Sequence, residues 1–439
     1  MATWQEYYNS HLVTMDEAAK TIKSGDSIWC GQTVSISYNF LNKLNENRED
    51  LKDVTILYNF STGMFDMLFD EESKKHFRLI SMFTGPLDRM SGHMGIEEFH
   101  SMPYELLIRS VMDVYNAKVM VTEMCPPDEN GFMNCGILGI GVDSIIHRQD
   151  KIVKRIAVVN KHQSRAPGEF SSCNFPVTDF DLIIEDDHEM SYLPVSEPTE
   201  VDKKIAAHVM QYINDGDTIQ IGMGGLGEQI TKELYSKKDI KVYTEITVDS
   251  MVPLVDAGVV VSVKSGGCYG SPVVYNFLGT SDKVVMEDLY SMLDPFSIGE
   301  QDNLVAINST LMVDLTGQAC SEAQGIKQYS SVGGSFGYLY GAIRSKGGRS
   351  FLCLRSTYKD EEGIRHSNVV PWLPEKSVVT TPRYLTMYIV SEHGVADVFL
   401  RTNKDRIRRL LKISHPDFRA ELKEQIISTG QIAADEFDD

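Results

Sequence analysis

A short pattern that occurs twice constrains the fold of this chain more than any other feature. Residues 16–31 read DEAAKTIKSGDSIWCG and residues 206–222 read AAHVMQYINDGDTIQIG. Each copy places apolar residues at helical spacing (Ala18, Ala19 and Ile22 in one; Val209, Met210 and Ile213 in the other). Gly-Asp follows, then an apolar strand closed by glycine. Gly25 and Gly216 stand where a helix should stop. Each copy then runs to another apolar segment, VTILY at 54–58 and IKVYTE at 240–245. Two successive strand–helix–strand units predict two similar α/β domains with largely parallel sheets, over residues 1–195 and 200–439. The polar, proline-containing stretch 193–199 (LPVSEPT) is the expected join. Helix-Gly-Asp-strand is common in α/β proteins, so chance recurrence is the alternative reading.

Composition removes several classes of function. A formal charge of -20 repels polyanions, and no Lys/Arg-rich stripe with interleaved aromatics offsets it, which argues against a nucleic-acid partner. The first residues, MATWQEYY, lack the basic-then-apolar layout of a secretory signal, and no apolar run reaches the roughly 18 residues that span a bilayer. A soluble cytoplasmic protein with no membrane association is expected. The seven cysteines are scattered without a C-x-x-C pair, so neither a disulfide framework nor a metal site is indicated. They read as small buried residues of a reducing compartment.

The strongest local motif is IQIGMGGLGEQI at 219–230, an apolar strand entering Gly222-x-Gly224-x-x-Gly227 and then a helix. It fits the dinucleotide fingerprint, and Glu245, 18 positions after Gly227, stands where a ribose-binding carboxylate would lie. Alone, these residues allow a nicotinamide-dependent dehydrogenase. The physics is more general, because glycines let backbone N–H groups approach any phosphate at a helix N-terminus, including that of coenzyme A. A purely structural turn is the remaining reading.

Several further blocks appear in order along nearly the whole chain: VTEMCPPDENG (121–131), the glycine loop, Thr244-Glu245, NLVAINSTLMVDLTGQ (303–318), VGGSFG (332–337), TTPRYLTMYIVSEHGVA (380–396) and HPDFR (415–419). Together they resemble the family I CoA-transferases, in the branch that includes acetyl-CoA hydrolase/transferase and the 4-hydroxybutyrate, butyrate:acetate and succinyl:acetate CoA-transferases. The resemblance implies two CoA-transferase domains, the second carrying the catalytic Glu, with the active site in the cleft between them. It also implies transfer of CoA between short carboxylic acids such as acetate, butyrate or 4-hydroxybutyrate. By the same resemblance Glu245 is the nucleophile that becomes a glutamyl-CoA thioester. Gly222, Met223, Gly224, Gly225, Leu226, Leu311, Ser330, Gly333, Gly334 and Lys359 are the expected CoA contacts. Acyl-CoA would be the substrate, with neither a metal nor NAD, in a homodimer or homotetramer. An acyl-CoA hydrolase using the same Glu245 intermediate is the alternative within the family. An attacking Glu245 must be ionised, so donors or a helix N-terminus that favour its charge are expected nearby.

The chain also departs from the family. It carries Gly-Gly-Ser-Phe-Gly-Tyr at 333–338, where many members have Gly-Gly-Gln or Gly-Gly-Ser-Gly-Asp. Gly-Leu-Gly-Glu at 225–228 replaces a more usual Ile-Pro-x-Ala, and His393 stands where an aromatic residue is common. Phe336 and Tyr338 read first as core and second as walls of an acyl pocket. A hairpin turn is the bland reading of Gly333-Gly334, and a solvated loop lysine that of Lys359. Asp128 and Glu129 read first as a turn, and His393 as a packed or exposed histidine. Residues 406–410 (RIRRL) read as a charged surface or subunit contact, and the acidic C-terminal residues 434–439 as a frayed tail.

Overall fold

The repeated Gly-Asp turn is built the same way in both copies, atom for atom. In the computed structural model, which describes residues 3–138, 151–167, 173–192 and 196–437, Gly25 and Gly216 have φ of +83° and +81°. Their N–H groups donate to Lys52 O and Lys238 O, each at 2.9 Å. The next residue closes the turn with its carboxylate: Asp26 accepts from Lys23 N and Asp217 from Asn214 N, each at 2.7 Å. The preceding helices, α1 (Met15–Ala19) and α3 (Glu200–Met210), both open on a threonine capping box, Thr14 with Glu17 and Thr199 with Asp202. Shared turn, cap and strand entry make the repeat structural. Between these helices in the sequence lies α2 (Tyr38–Glu46). Leu193, Pro194 and Val195, at the start of the expected join, lie outside the described residues.

The chain divides into two compact units. The first comprises Met1–Pro194, Glu245–Asp249 and Lys264–Met292; the second comprises Val195–Thr244, Ser250–Val263 and Leu293–Asp439. The first unit is built on β1 (Ser27–Gln32), β2 (Val54–Asn59), β3 (Phe77–Ser81), β4 (Glu97–Phe99), β5 (Val119–Met124), β6 (Lys154–Val159) and β7 (Leu182–Glu185), in the order β4-β3-β2-β1-β5-β6-β7. Every neighbouring pair is parallel. All six residues of β1 are buried, as a strand covered on both faces requires. Ile28, Ile56, Tyr58 and Val121 of the sheet share one core with Phe40, Leu41 and Leu44 of α2.

In the second unit β8 (Thr218–Ile221), β9 (Ile240–Thr244), β10 (Val260–Ser265), β11 (Leu304–Ser309), β12 (Arg349–Cys353), β13 (Tyr388–Ser391) and β14 (Gly394–Asp397) run in the order β10-β9-β8-β11-β12-β13-β14. Pairs β8·β9, β8·β11, β11·β12 and β12·β13 are parallel, and β14 returns antiparallel at the edge. The strand order reverses direction at β1/β5 in one unit and at β8/β11 in the other. In open α/β sheets such a switch point opens a crevice at the carboxyl ends of the strands.

Two surface expectations are corrected. Helix Asn403–Ile413 carries Arg406, which is only 5% exposed and donates from Nη1 to Thr316 O and Arg383 O, because the helix packs Ile407 and Leu410 into the core. The C-terminal segment is docked through residue 437: Phe437 packs against that core, and Lys423 Nζ lies 4.6 Å from its ring centroid. All seven cysteines are buried and free. No helix among the described residues is long and apolar enough to cross a membrane.

The matched turns give a paired prediction. Asp217 is buried and ion-paired with Arg349, whereas Asp26 has no salt bridge among the described residues. Asp26→Ala should cost about 1 kcal/mol, the loss of a capping hydrogen bond. Asp217→Ala should cost about 3–5 kcal/mol because it also strands a buried guanidinium. Urea denaturation of the two variants tests this difference.

Candidate active site

A glycine is needed where β8 becomes the next helix, because the backbone of Gly224 takes φ +106° and ψ 178°, outside the range of L side chains. Helix α4 (Gly225–Glu233) starts there without a side-chain cap, leaving its first N–H groups for a ligand. Gly227 is required by close approach: a Cβ on it would sit 2.2 Å from Gly222 O. This is the packing that the dinucleotide-type spacing anticipates.

Beside the loop lies a cavity of about 860 Å³, wholly within the second unit. Among the expected CoA contacts, Met223, Gly224, Gly225, Leu226, Leu311 and Lys359 line it. Leu311 follows β11, so the cavity occupies the β8/β11 switch point. Gly222, Ser330, Gly333 and Gly334 do not line it. Gly222 ends β8, donating to Ile307 O at 3.3 Å. Ser330 donates its N–H to Glu322 O at 2.9 Å, while its neighbour Tyr329 reaches the cavity. Gly333-Gly334 forms the entry to α5 (Ser335–Arg344) in place of a hairpin. On that helix Tyr338 is buried and Phe336 stacks on Tyr340 with centroids 6.0 Å apart, so both belong to the helix packing.

Lining residues that the sequence reading passed over include Asp202, Arg355, Tyr358 and Asn368. Arg355 stands four positions before Lys359, a signal available in the sequence. Asp202 carried none, since it reads as a helix-capping residue. Burial opposes the ionisation of Asp202, but hydrogen bonds from Thr199 and the charge of Arg355 outweigh it and hold the pKa below the usual carboxylate range.

Glu245 is the residue after β9. Thr244 Oγ1 donates to Ile221 O at 3.4 Å and ties the ends of β9 and β8 together. The segment that follows is fixed by Thr247 N to Gly267 O at 2.8 Å and by Ser271 N to Asp249 at 2.9 Å. Although Glu245 as a residue keeps some exposure, burial of its carboxyl pushes the pKa up to about 7. The expected donors are not found: Glu245 makes no hydrogen bond or ion pair among the described residues. Its charge also helps to raise the pKa of Tyr104, whose phenol is pushed up first by burial.

The remaining acids and histidines have structural partners. Asp128 accepts from Asn130 N and Phe132 N, each at 2.9 Å, and so holds a turn. Glu392 accepts from Ser356 N at 2.9 Å and Ser356 Oγ at 2.5 Å. His393 packs edge-on to His415, with centroids 5.2 Å apart, and burial lowers its pKa.

Residues 270–426 match the family model described as the acetyl-CoA hydrolase/transferase C-terminal domain. Over 431 residues the chain is 31% identical to the succinyl-CoA:cyclohexane-1-carboxylate CoA transferase of Geobacter metallireducens, with 96% of each chain covered. The chain belongs to the acetyl-CoA hydrolase/transferase family. The 4-hydroxybutyrate coenzyme A transferase of Clostridium kluyveri, another CoA-transferase, is 30% identical over 433 residues, covering 95% of this chain and 98% of that one. The crystal structure of RipA from Yersinia pestis shares the fold, with a TM-score of 0.88 over 98% of this chain and 100% of that one, at 24% identity.

The raised pKa of Glu245 has a signed consequence for stability. Unfolded, a glutamate titrates near 4.5; folded, this one titrates at about 7. Between these values the native state holds a proton that the unfolded chain lacks, so this residue's contribution to stability falls as pH rises through the window and is flat above it. Glu245→Gln, neutral throughout, should therefore gain stability relative to the parent between about pH 4.5 and 7, as read by thermal denaturation at a series of pH values.

Proposed function

We propose that this protein is an acyl-CoA:carboxylate CoA-transferase for short monocarboxylic acids of the acetate, butyrate or 4-hydroxybutyrate type, working through a glutamyl-CoA thioester on Glu245. The reading includes a cytoplasmic homodimer or homotetramer, carried over from the family resemblance. The observation that carries the chemistry is a carboxylate one residue beyond β9, buried and unpaired, in a chain whose glycine loop opens on a cavity of about 860 Å³. The fingerprint alone would admit a dinucleotide; membership of the family favours coenzyme A in that cavity.

In this mechanism an oxygen of ionised Glu245 attacks the acyl-CoA thioester carbonyl. The C–S bond breaks, leaving a mixed anhydride and CoA thiolate. The thiolate then attacks the glutamyl carbonyl and expels the acyl group as a free carboxylate, so the enzyme carries CoA as a thioester. A second carboxylate attacks that thioester and the same steps run in reverse, which conserves the thioester bond energy. A pKa of about 7 leaves a large fraction of Glu245 ionised at neutral pH. It also makes the carboxylate more basic, and so more nucleophilic, than an ordinary one. The thiolate is the charge most in need of stabilisation, and exclusion of water protects the anhydride.

The acid side of the proposal draws on the first unit. Tyr104, which feels the charge of Glu245, packs edge-on to Phe83 at 5.5 Å; Phe83 stacks on Phe60 at 5.9 Å, and Phe60 meets Tyr269 at 5.9 Å. Phe60 holds φ at +47°, a conformation that a bulky side chain adopts only at an energetic cost, and such strain concentrates at functional sites. An aromatic wall suits a hydrocarbon acyl group. Burial is the sole cause of the Glu245 shift, with no cation offsetting it. A second carboxylate on the acid would thus add repulsion without a counter-charge, which favours monocarboxylates.

Intact-mass spectrometry after incubation with butyryl-CoA should show an adduct of CoA size, mapped to Glu245 after borohydride reduction. Glu245→Asp should lower turnover at least ~100-fold by drawing back the attacking oxygen. The rate of CoA loading should fall about tenfold per unit below a pH of about 7. Turnover with Glu245 unmodified and replaceable would overturn the proposal.

A further inference from the structure

Three charged side chains line the cavity beside the glycine loop among the described residues: Lys359, Arg355 and Asp202. Asp202 has its carboxylate almost fully enclosed, with a side chain 6% exposed, and an ideal Cβ on Gly225 would lie 3.2 Å from its Oδ2. A negative charge is therefore built in beside the first turn of the helix whose N-terminus would hold phosphate. Left uncompensated, it would oppose that use.

The compensating group is Arg355, which is held in an unusual way. Its Nη2 alone makes all of its contacts, at 3.1 Å and 3.3 Å to the two oxygens of Asp202 and 3.5 Å to Thr199 Oγ1. The N–H donors on Nε and Nη1 have no partner among the described residues, and the side chain is 55% exposed. The backbone beneath it is fixed, because Asn368 Nδ2 donates to Arg355 O at 2.8 Å and Asn368 N to Ser356 O at 2.8 Å. The contrast is with Arg349, where Nη1 donates to Gly347 O and Nη2 pairs with Asp217, leaving a side chain 18% exposed. Arg349 is spent on structure. Arg355 is tethered at one nitrogen, with its other donors free on a cavity wall.

We propose that Arg355 is a phosphate contact of the CoA cavity, and that Asp202 is the carboxylate that positions it. This rests on the CoA reading of the cavity given above. Arg355 has two effects: it neutralises Asp202 beside the helix N-terminus, and it offers charge-assisted hydrogen bonds to a phosphate of the nucleotide end of CoA. Asp202 touches no ligand in this scheme; it is a positioning residue, aiming the guanidinium from its capping site on α3.

The test is isothermal titration of the full-length protein with CoA and with pantetheine, which lacks every phosphate. Arg355→Gln should weaken CoA binding about 10- to 100-fold, the scale of a lost charge-assisted bond, and leave pantetheine binding within about twofold. Adding Asp202→Asn to Arg355→Gln should recover part of the lost CoA affinity, since it removes the carboxylate that Arg355 had neutralised. A merely structural role for the pair would not give that recovery. Matched melting temperatures of parent and variants confirm that folding is intact, and Arg355→Lys, which keeps the charge, should fall between parent and Arg355→Gln. Three results would each overturn the inference alone: CoA binding unchanged in Arg355→Gln, equal losses for CoA and pantetheine, or a further loss on adding Asp202→Asn. Failure of the parent protein to bind CoA would overturn the inference together with the function it rests on.

Discussion

The contact between Gly227 and the carbonyl of Gly222 is the constraint on which the rest of the second unit turns. A helix can begin this close to the end of its strand only where Cβ atoms are absent, since one on Gly227 would stand 2.2 Å from that oxygen. The approach brings α4 down onto the sheet at its switch point, with an uncapped N-terminus facing the space beyond β8 and β11. From this follow the cavity, its glycine wall and its need for cationic side chains. Hydrophobic burial holds the two sheets together, as in any parallel α/β unit, but it does not say where a ligand goes. The missing Cβ atoms do.

A second constraint is electrostatic and runs the opposite way. The expected site surrounded Glu245 with donors that would stabilise its charge; the structure buries the carboxyl without them and raises its pKa. These are different solutions to the same chemical demand. Strong donors would ensure ionisation but would stabilise the ground-state carboxylate and blunt its attack on a thioester. Burial keeps the anion basic and leaves enough of it present at neutral pH, at some cost in folding stability. The aromatic neighbours in the first unit belong to the same solution, since Tyr104 excludes water without offering a cation.

What the sequence made legible was local. The Gly-Asp repeat declared two α/β units because a turn with φ near +80° and a carboxylate closing it depends on adjacent residues. The glycine loop was legible for the same reason. Asp202 and Arg355 were not, because they are 153 residues apart and each has an ordinary local reading, one as a helix cap and one as a surface arginine. Arg406 misled in a related way: within RIRRL it looks like a charged stripe, and only tertiary packing turns it inward to carbonyls at 316 and 383. The interleaving of 245–249 and 264–292 into the first unit is likewise a property of chain path, to which neither periodicity nor composition is sensitive.

The two copies of the repeat also differ at one point, and the difference assigns their roles. After β8 the chain enters its helix through glycine, with no side chain to satisfy the first N–H groups. After β1 it passes through Thr33, held at φ +45°, and a short 3-10 turn before α2 begins behind Ser37. The hydroxyl of Ser37 accepts from Phe40 N at 3.4 Å, so that helix end is already capped. A capped N-terminus has lost the donor that an anion would need, whereas an open glycine one retains it. The same supersecondary plan thus yields a phosphate-competent switch point in the second unit and a self-satisfied one in the first. The first is thereby free to supply apolar and aromatic surface, which an acyl group needs and a nucleotide does not.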